Sequence, residues 1–148
     1  MPNLELNREQ LEEIFPHRGR ALLLDRAERP GDRMAVGYHV VTEADCEGHF
    51  PAGFIYPGHV SLEQMALTVG LAANGTLTED QAPYFAGVDE IRWRGVVKVG
   101  DEVRTVARLT RPSSKRIIVG DAEAFVGEKL VAEAKGILCL IGSKQINS

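Results

Sequence analysis

The chain has 148 residues, 26% of them charged, and a net charge of −4 at pH 7. This length suits one domain, residues 1–148, whose core is large enough to need no disulfides. The acidic balance argues against nonspecific nucleic-acid binding, which requires a basic surface. No segment is apolar and long enough to span a membrane, and Met1 to Gln10 lack the apolar core of a secretory signal. The two cysteines, Cys46 and Cys139, show no metal-type spacing, so we expect reduced thiols in a cytoplasmic protein.

The first third of the chain predicts a short helix and two strands. Asn7 can cap a helix whose apolar residues recur at helical spacing, namely Leu11, Ile14 and Phe15. Pro16 ends that helix. Strands are expected at 22–29 and 33–41. An irregular loop, 42–56, follows them, and long irregular loops in compact domains are commonly functional.

The rest of the chain predicts one apolar helix and a series of strands. The helix runs over 58–73, follows Pro57-Gly58 and stops at Asn74-Gly75. Its apolar residues occupy more than one face, so the fold must cover it on several sides. Its polar stripe is narrow and consists of Ser61, Gln64 and Thr68. Antiparallel strands are expected at 83–98, 101–111, 116–126 and 129–141. This order predicts an α+β domain in which the sheet wraps the helix.

One histidine before this helix and one glutamate on it are candidates for acid–base catalysis. His49 lies in Gly48-His49-Phe50-Pro51, and Glu63 follows on the apolar helix. A carboxylate buried there without a partner would be costly or would take up a proton, so Glu63 can serve as a general acid. His49 has the side chain best suited to act as a general base. The alternative is an exposed helix face and a loop histidine without a chemical role.

Three blocks of sequence resemble the active-site regions of a known family. They are Pro16-His17-Arg18 with Leu22-Leu23-Leu24-Asp25; residues 48–58 followed by Leu62-Glu63-Gln64-Met65-Ala66; and Tyr84-Phe85-Ala86-Gly87-Val88-Asp89 with Gly100-Asp101. Their order and residues resemble the beta-hydroxyacyl-(acyl carrier protein) dehydratases of fatty-acid synthesis. The resemblance covers roughly residues 14 to 140 and implies the hotdog fold. It also implies that His49 and Glu63 form a catalytic dyad contributed by different subunits of a homodimer, or of a multiple of dimers such as a hexamer.

The resemblance implies an activity and a partner as well. A (3R)-3-hydroxyacyl thioester on acyl carrier protein would lose water to give the trans-2-enoyl thioester, in fatty-acid or related polyketide or polyene synthesis, with no cofactor and no metal. His49 would remove the C2 proton, and Glu63 would protonate the departing C3 hydroxyl. Gly58 would let the thioester oxygen approach backbone N–H groups at the helix start. The residues expected to line the acyl tunnel are Phe50, Phe54, Ile55, Tyr84 and Phe85.

Acyl carrier proteins are themselves acidic, so an acidic enzyme must meet them through a local basic patch. The expected contacts are Arg92, Arg94 and Lys98, with Arg111, Lys115 and Arg116 as further candidates. The chain departs from the family pattern at Ala52-Gly53-Phe54, where the family has Gly-Arg-Pro, at His59, where it has an aliphatic residue, and at Leu67, where it commonly has glutamine. These departures concern the substrate and the partner more than the reaction.

Three alternatives stay open from the sequence. A hotdog thioesterase would use a carboxylate to activate water and would not need His49. A catalytically weak binding module for the carrier protein would need neither dyad residue. A metal site could use His49, His59 and Glu63, since the last two are four residues apart on one helix face. His17 and His39 are interpreted as structural.

Overall fold

The computed structural model describes residues 4–47 and 55–145. These residues contain helices α1 (Arg8–Ile14) and α2 (Gly58–Ala72). The strands are β1 (Leu4–Leu6), β2 (Arg26–Gly31), β3 (Met34–Val40), β4 (Gln81–Gly87), β5 (Glu90–Trp93), β6 (Glu102–Leu109), β7 (Ile117–Val126) and β8 (Lys129–Ser143). They form one antiparallel sheet in the order β1-β2-β3-β6-β7-β8-β4, and β5 also pairs with β8.

The sheet curls around α2. This helix packs against β3, β4, β6, β7 and β8, and residues 64–73 are all buried. The core is therefore a layer of aliphatic side chains between one helix and the concave face of the sheet. The predicted α+β arrangement, an antiparallel sheet wrapped around one apolar helix, is confirmed.

Both helices begin where the sequence predicts. The Asn7 side chain accepts a hydrogen bond from the Gln10 backbone N–H at 2.9 Å, and the Gln10 side chain accepts one from the Asn7 N–H at 2.9 Å. This reciprocal cap satisfies two N–H groups at the start of α1. In α2 the helix ends at Ala72, and residues 74–76 continue as a 3₁₀ turn. Within the described ranges, neither helix combines the length and hydropathy that a membrane span requires.

The prediction of a strand over 22–29 is wrong in its first half. Strand β2 begins only at Arg26, and a 3₁₀ turn occupies 19–21. The reason is the Arg8 guanidinium, which donates to the carbonyl oxygens of Leu22 at 2.6 Å and Leu24 at 3.0 Å. These carbonyls therefore bond to a side chain rather than to a neighbouring strand, while the leucine side chains remain buried.

The prediction of one strand over 83–98 is also wrong, because two strands form there. Strands β4 and β5 pair with successive parts of β8, on either side of Gly136. Gly136 has a φ of 67°, and the carboxylate of Asp89 lies against it where a β-carbon would stand. The backbone of β8 thus changes direction at Gly136, and the strand paired with it breaks at 88–89. The other predicted strands appear as β3, β6, β7 and β8, and β1 was not predicted.

The polar stripe of α2 faces the interior. Gln64 is fully buried; its amide nitrogen donates to the carbonyl of Val103 at 3.1 Å, and its amide oxygen accepts from the Tyr56 hydroxyl at 3.0 Å. Thr68 and Ser61 are buried too and donate to backbone carbonyls of α2, at 2.8 and 2.7 Å. Each of these buried polar groups has a partner, so the stripe stabilises the packing of α2 instead of opposing it.

Substituting Gly120 with alanine should destabilise the sheet. A β-carbon at Gly120 would lie 2.7 Å from the Arg108 carbonyl oxygen and 3.1 Å from Val69 of α2. Overpacking of this kind costs about 1–3 kcal/mol, which urea unfolding of Gly120→Ala will measure. Gly31→Ala is the matched control, because no atom lies within 4 Å of its β-carbon position. Equal unfolding midpoints for the two variants would contradict the close packing of Gly120 against Arg108 and Val69.

Candidate active site

Glu63 lies on the first half of α2, beside strand β4. Its side chain is 37% exposed, in contrast to the fully buried Gln64 that follows it. The carboxylate borders a small cavity of about 10 Å³, lined by His17, Glu63, Ala66, Leu67, Pro83, Phe85 and Cys139. A space of this size corresponds to one water molecule. The predicted dyad partner, His49, lies outside the described residues, as do Phe50 and Phe54.

His17 is the histidine that the described fold brings to Glu63. Its Nε2 atom is 3.9 Å from the Glu63 carboxylate, and its ring meets Phe15 edge-on. Its Nδ1 atom is buried without a hydrogen-bond partner among the described residues. Burial lowers the pKa of His17, opposed by the charge of Glu63 and assisted by that of Arg18. His17 is therefore a neutral imidazole near neutral pH.

Cys139 is a second titratable neighbour of Glu63 among the described residues. Burial, with a contribution from the negative charge of Glu63, raises the pKa of its thiol to about 12. Cys46 is also buried, and burial together with Asp45 raises its pKa. Both thiols stay protonated near neutral pH, so neither supplies a thiolate nucleophile.

A second cavity, of about 410 Å³, opens at the start of α2. It is mostly apolar and lined by Ile55, Tyr56, Gly58, His59, Ser61, Trp93, Gly95, Val96, Val97, Val103, Ala124, Val131 and Ala132. The Trp93 indole lies over Gly58, where a β-carbon would come within 2.7 Å of the ring. Its Nε1–H is shared between Ser61 Oγ at 3.1 Å and the Gly58 carbonyl at 3.2 Å. Trp93 thus fixes the first turn of α2, a contact that the sequence analysis missed.

Two of the predicted tunnel residues, Ile55 and Phe85, line cavities, and the two cavities are different ones. Ile55 lines the larger cavity together with Gly58, whereas Phe85 lines the smaller one together with Glu63. Tyr84 is next to Phe85 on β4, so its side chain points to the other face of the sheet. Its hydroxyl donates to the Ser143 carbonyl, and among the described residues it borders neither cavity.

The predicted carrier-protein patch combines basic and acidic side chains. Arg92 bonds to Glu90 at 2.6 Å, and Arg94 bonds to Glu133 at 3.1 Å. Lys98 lies on the surface beyond them. Two glutamates therefore offset part of the charge that the three basic residues bring to this edge of the sheet.

Metal binding was one alternative for this region. Across residues 4–47 and 55–145, no three His, Cys, Asp or Glu side chains gather as metal ligands. The alternative site requires His49, which is not part of those ranges, and His59 is exposed.

Comparisons with known proteins identify relatives over most of the chain. Residues 16–135 match the FabA-like domain family. The 3-hydroxyacyl-[acyl-carrier-protein] dehydratase FabZ of Sulfurimonas denitrificans is 37% identical over 85% of this chain and 91% of its own length. The dehydratase of the same name from Syntrophotalea carbinolica is 40% identical over 82% of this chain and 86% of its own.

Solved structures share the fold. A conserved protein of Pseudomonas aeruginosa aligns with a TM-score of 0.59 and 27% identity over 74% of this chain and 82% of its own. A sigma28-regulated virulence protein of Campylobacter jejuni aligns with a TM-score of 0.67 and 12% identity over 90% of this chain and 86% of its own. The expected hotdog fold is thereby confirmed.

The neutral state of His17 predicts a dependence of stability on pH. Its pKa is lower in the folded protein than the ordinary value of 6.5, so the unfolded chain binds a proton first as the pH falls. The stability contributed by neutral His17 is present above pH 6.5 and is lost as the pH falls towards the folded pKa. The urea midpoint of unfolding, plotted against pH, should therefore have a different slope below pH 6.5 in the wild type than in His17→Gln. Parallel curves would contradict this.

Proposed function

We propose that this chain, which belongs to the FabA-like family, dehydrates 3-hydroxyacyl thioesters carried on acyl carrier protein. The observation that carries this conclusion is the pair of FabZ dehydratases 37% and 40% identical over more than four-fifths of the chain. The family match includes both predicted dyad positions, 49 and 63. The thioesterase alternative is less supported, because the fluoroacetyl-CoA thioesterase FlK shares 12% identity and a TM-score of 0.65, which concern the fold alone.

His49 and Glu63 divide the chemistry between a base and an acid. Loss of water from a 3-hydroxyacyl thioester requires removal of a proton from C2 and protonation of the hydroxyl on C3, since hydroxide is a poor leaving group. His49 removes the C2 proton, and Glu63, directly or through a water, gives a proton to the leaving hydroxyl. The product is the trans-2-enoyl thioester from the (3R) substrate. The one-water cavity beside Glu63 supports a water-mediated route.

The first turn of α2 stabilises the thioester oxygen. The enolate that forms on C2 deprotonation places negative charge on that oxygen, and a helix start offers N–H groups and the positive end of its dipole. Gly58 stands at this position, and the apolar cavity beside it is also lined by residues of β5, β6, β7 and β8. An acyl chain suits such a cavity, because its lining is mainly aliphatic and aromatic.

A second copy of the chain completes the site. Strand β4 is the last strand in the sheet order, and it carries Phe85, an aromatic residue 37% exposed next to Glu63. Among the described strands β4 pairs only with β8, and a sheet edge that carries an apolar side chain favours strand pairing with a partner. Pairing β4 with its symmetry mate gives a two-fold dimer, and places Glu63 near the interface. The dimer, or a multiple of it such as a hexamer, works in the cytoplasm and receives the acyl carrier protein at Arg92, Arg94 and Lys98.

Replacement of either dyad residue should abolish most of the activity. His49→Ala and Glu63→Gln should each lower kcat by about 100-fold or more, because each removes one proton-transfer partner. Mass spectrometry of hydroxyacyl carrier proteins incubated with the enzyme will measure the loss of water. Glu9→Gln, an exposed carboxylate on α1, is the control and should keep wild-type activity. Near-normal turnover by either dyad variant would overturn the assignment, and release of free acid instead of water would indicate a thioesterase.

Mixing the two inactive variants should restore activity if subunits share sites. A dimer with one His49→Ala and one Glu63→Gln protomer contains one intact site and one site lacking both residues. Random exchange makes about half of the dimers mixed, so about a quarter of wild-type activity should return. Native mass spectrometry of differently tagged chains will verify that subunits have exchanged, and the dehydration activity of the mixture is then measured. No recovery would mean that each chain builds its own site.

A further inference from the structure

A buried histidine outside the predicted dyad joins three parts of the chain. His39 lies on β3 with its side chain 8% exposed, between two carboxylates. Its Nδ1 atom is 3.1 Å from Asp25, which precedes β2, and its Nε2 atom is 2.7 Å from Asp45. Tyr56 lies on a third side, with the two ring centroids 6.1 Å apart. We call Asp25, His39, Asp45 and Tyr56 the His39 cluster.

Asp45 fixes the segment that leads to residue 48. Its side chain is only 3% exposed. The carboxylate bonded to His39 also accepts from the Thr42 N–H at 2.8 Å, and the Asp45 N–H donates to the Thr42 carbonyl at 3.1 Å. These bonds fix the start of the 3₁₀ turn of residues 44–46. The turn itself is formed by the bonds from the Cys46 N–H to the Glu43 carbonyl at 3.1 Å and from the Glu47 N–H to the Ala44 carbonyl at 3.4 Å. The position of this turn relative to β3 therefore depends on the bond from His39.

Tyr56 fixes the segment that begins at residue 55. The tyrosine is 4% exposed, its N–H donates to the Val97 carbonyl at 2.8 Å, and its hydroxyl donates to Gln64 at 3.0 Å. Gln64 immediately follows Glu63 on α2. The His39 ring thus contacts the described residues on both sides of 48–54, and a hydrogen bond connects one of them to the helix that carries Glu63.

Both ring nitrogens of His39 face carboxylate oxygens, and only a protonated imidazole can donate from both. Burial alone would lower the pKa of His39, but the hydrogen bonds and negative charges of Asp25 and Asp45 outweigh it and raise the pKa above 6.5. In the part of the chain that the structure describes, the titratable groups that face the cluster are Cys46 beside Asp45 and Arg8 near Asp25. The fourth member of the cluster, Tyr56, has its pKa raised by burial. A neutral His39 could donate a hydrogen bond to only one of the two carboxylates.

We propose that His39 is a positioning residue for the dehydration. Its hydrogen bond to Asp45 holds the segment before residues 48–54, and its ring contact with Tyr56 holds the segment after them, both in register with Glu63. This inference rests on the proposed function, since position 49 holds the proposed base. His39 does not touch the substrate; it acts through Asp45 and Tyr56. A misplacement of about 1 Å at a catalytic group can cost about 100-fold in rate, so loss of the anchor should lower kcat and leave KM nearly unchanged.

The first test compares His39→Gln with the wild type in two independent measurements. Hydrogen exchange of the full protein should accelerate in residues 42–47 and 55–57 and stay unchanged in β7. Turnover of hydroxyacyl carrier proteins should show kcat reduced about tenfold or more, with KM within about twofold. Gly120→Ala, which destabilises the sheet away from the cluster, is the control and should keep kcat. If His39→Gln does not fold, Asp45→Asn carries the same test.

The second test uses pH. In the wild type, kcat should decline at alkaline pH over the same range in which NMR shows the His39 ring losing its proton. A neutral ring donates one hydrogen bond fewer to the two carboxylates. Asp25→Asn removes one of the carboxylates that favour the charged ring, so the decline should move to lower pH. A merely structural role for His39 would not produce this shift, and an unmoved decline would overturn the proposal.

The outcomes separate this inference from the proposed function. Unchanged exchange at 42–47 and 55–57 in His39→Gln would overturn the positioning role whatever the dyad variants do. Faster exchange with unaltered kcat, or a change in KM alone, would overturn it too. Retained activity in His49→Ala would instead overturn the proposed function, while the exchange measurement would still report whether His39 holds the two segments.

Discussion

The burial of α2 is the constraint on which the rest of the structure depends. Residues 64–73 are buried without interruption, so this part of the helix has no face that can be left to water. One flat layer covers only one side of a helix, whereas an antiparallel sheet that twists and curls can cover several. The sheet therefore wraps α2, and its last strand, β4, reaches the side of the helix next to Glu63. The position of the carboxylate at the margin of the core follows from that wrapping.

Polar groups in the core give this packing its specificity. An aliphatic helix could slide against an aliphatic sheet, but Gln64 bonds to Val103 of β6 and to Tyr56 in one arrangement only. Buried hydrogen bonds are costly to break, because a group left unpaired cannot return to water. The amide of Gln64 thus fixes the rotation of α2, and with it the direction in which Glu63 leaves the helix.

Two titratable neighbours of Glu63 among the described residues, His17 and Cys139, are uncharged near neutral pH. Burial lowers the pKa of His17 and raises that of Cys139, so the imidazole and the thiol both stay neutral. In such surroundings a charge that develops on a substrate is screened less than in water. The proposed mechanism places its proton transfer at Glu63 in these surroundings.

Local patterns in the sequence determined α1, α2, four of the strands and the family. Helix caps, apolar periodicity and ordered motifs each depend on residues that are close together in the sequence. The sequence also selected His49 and Glu63 as a catalytic dyad, which remains a prediction, and His49 lies outside the described residues. What it did not show were the interactions between distant residues. The Arg8 bonds that shorten β2, the break opposite Gly136, the approach of His17 to Glu63 and the His39 cluster each join side chains or backbone far apart in the chain. Only the curled sheet brings these groups within bonding distance, and a pattern read along the chain carries no information about that distance.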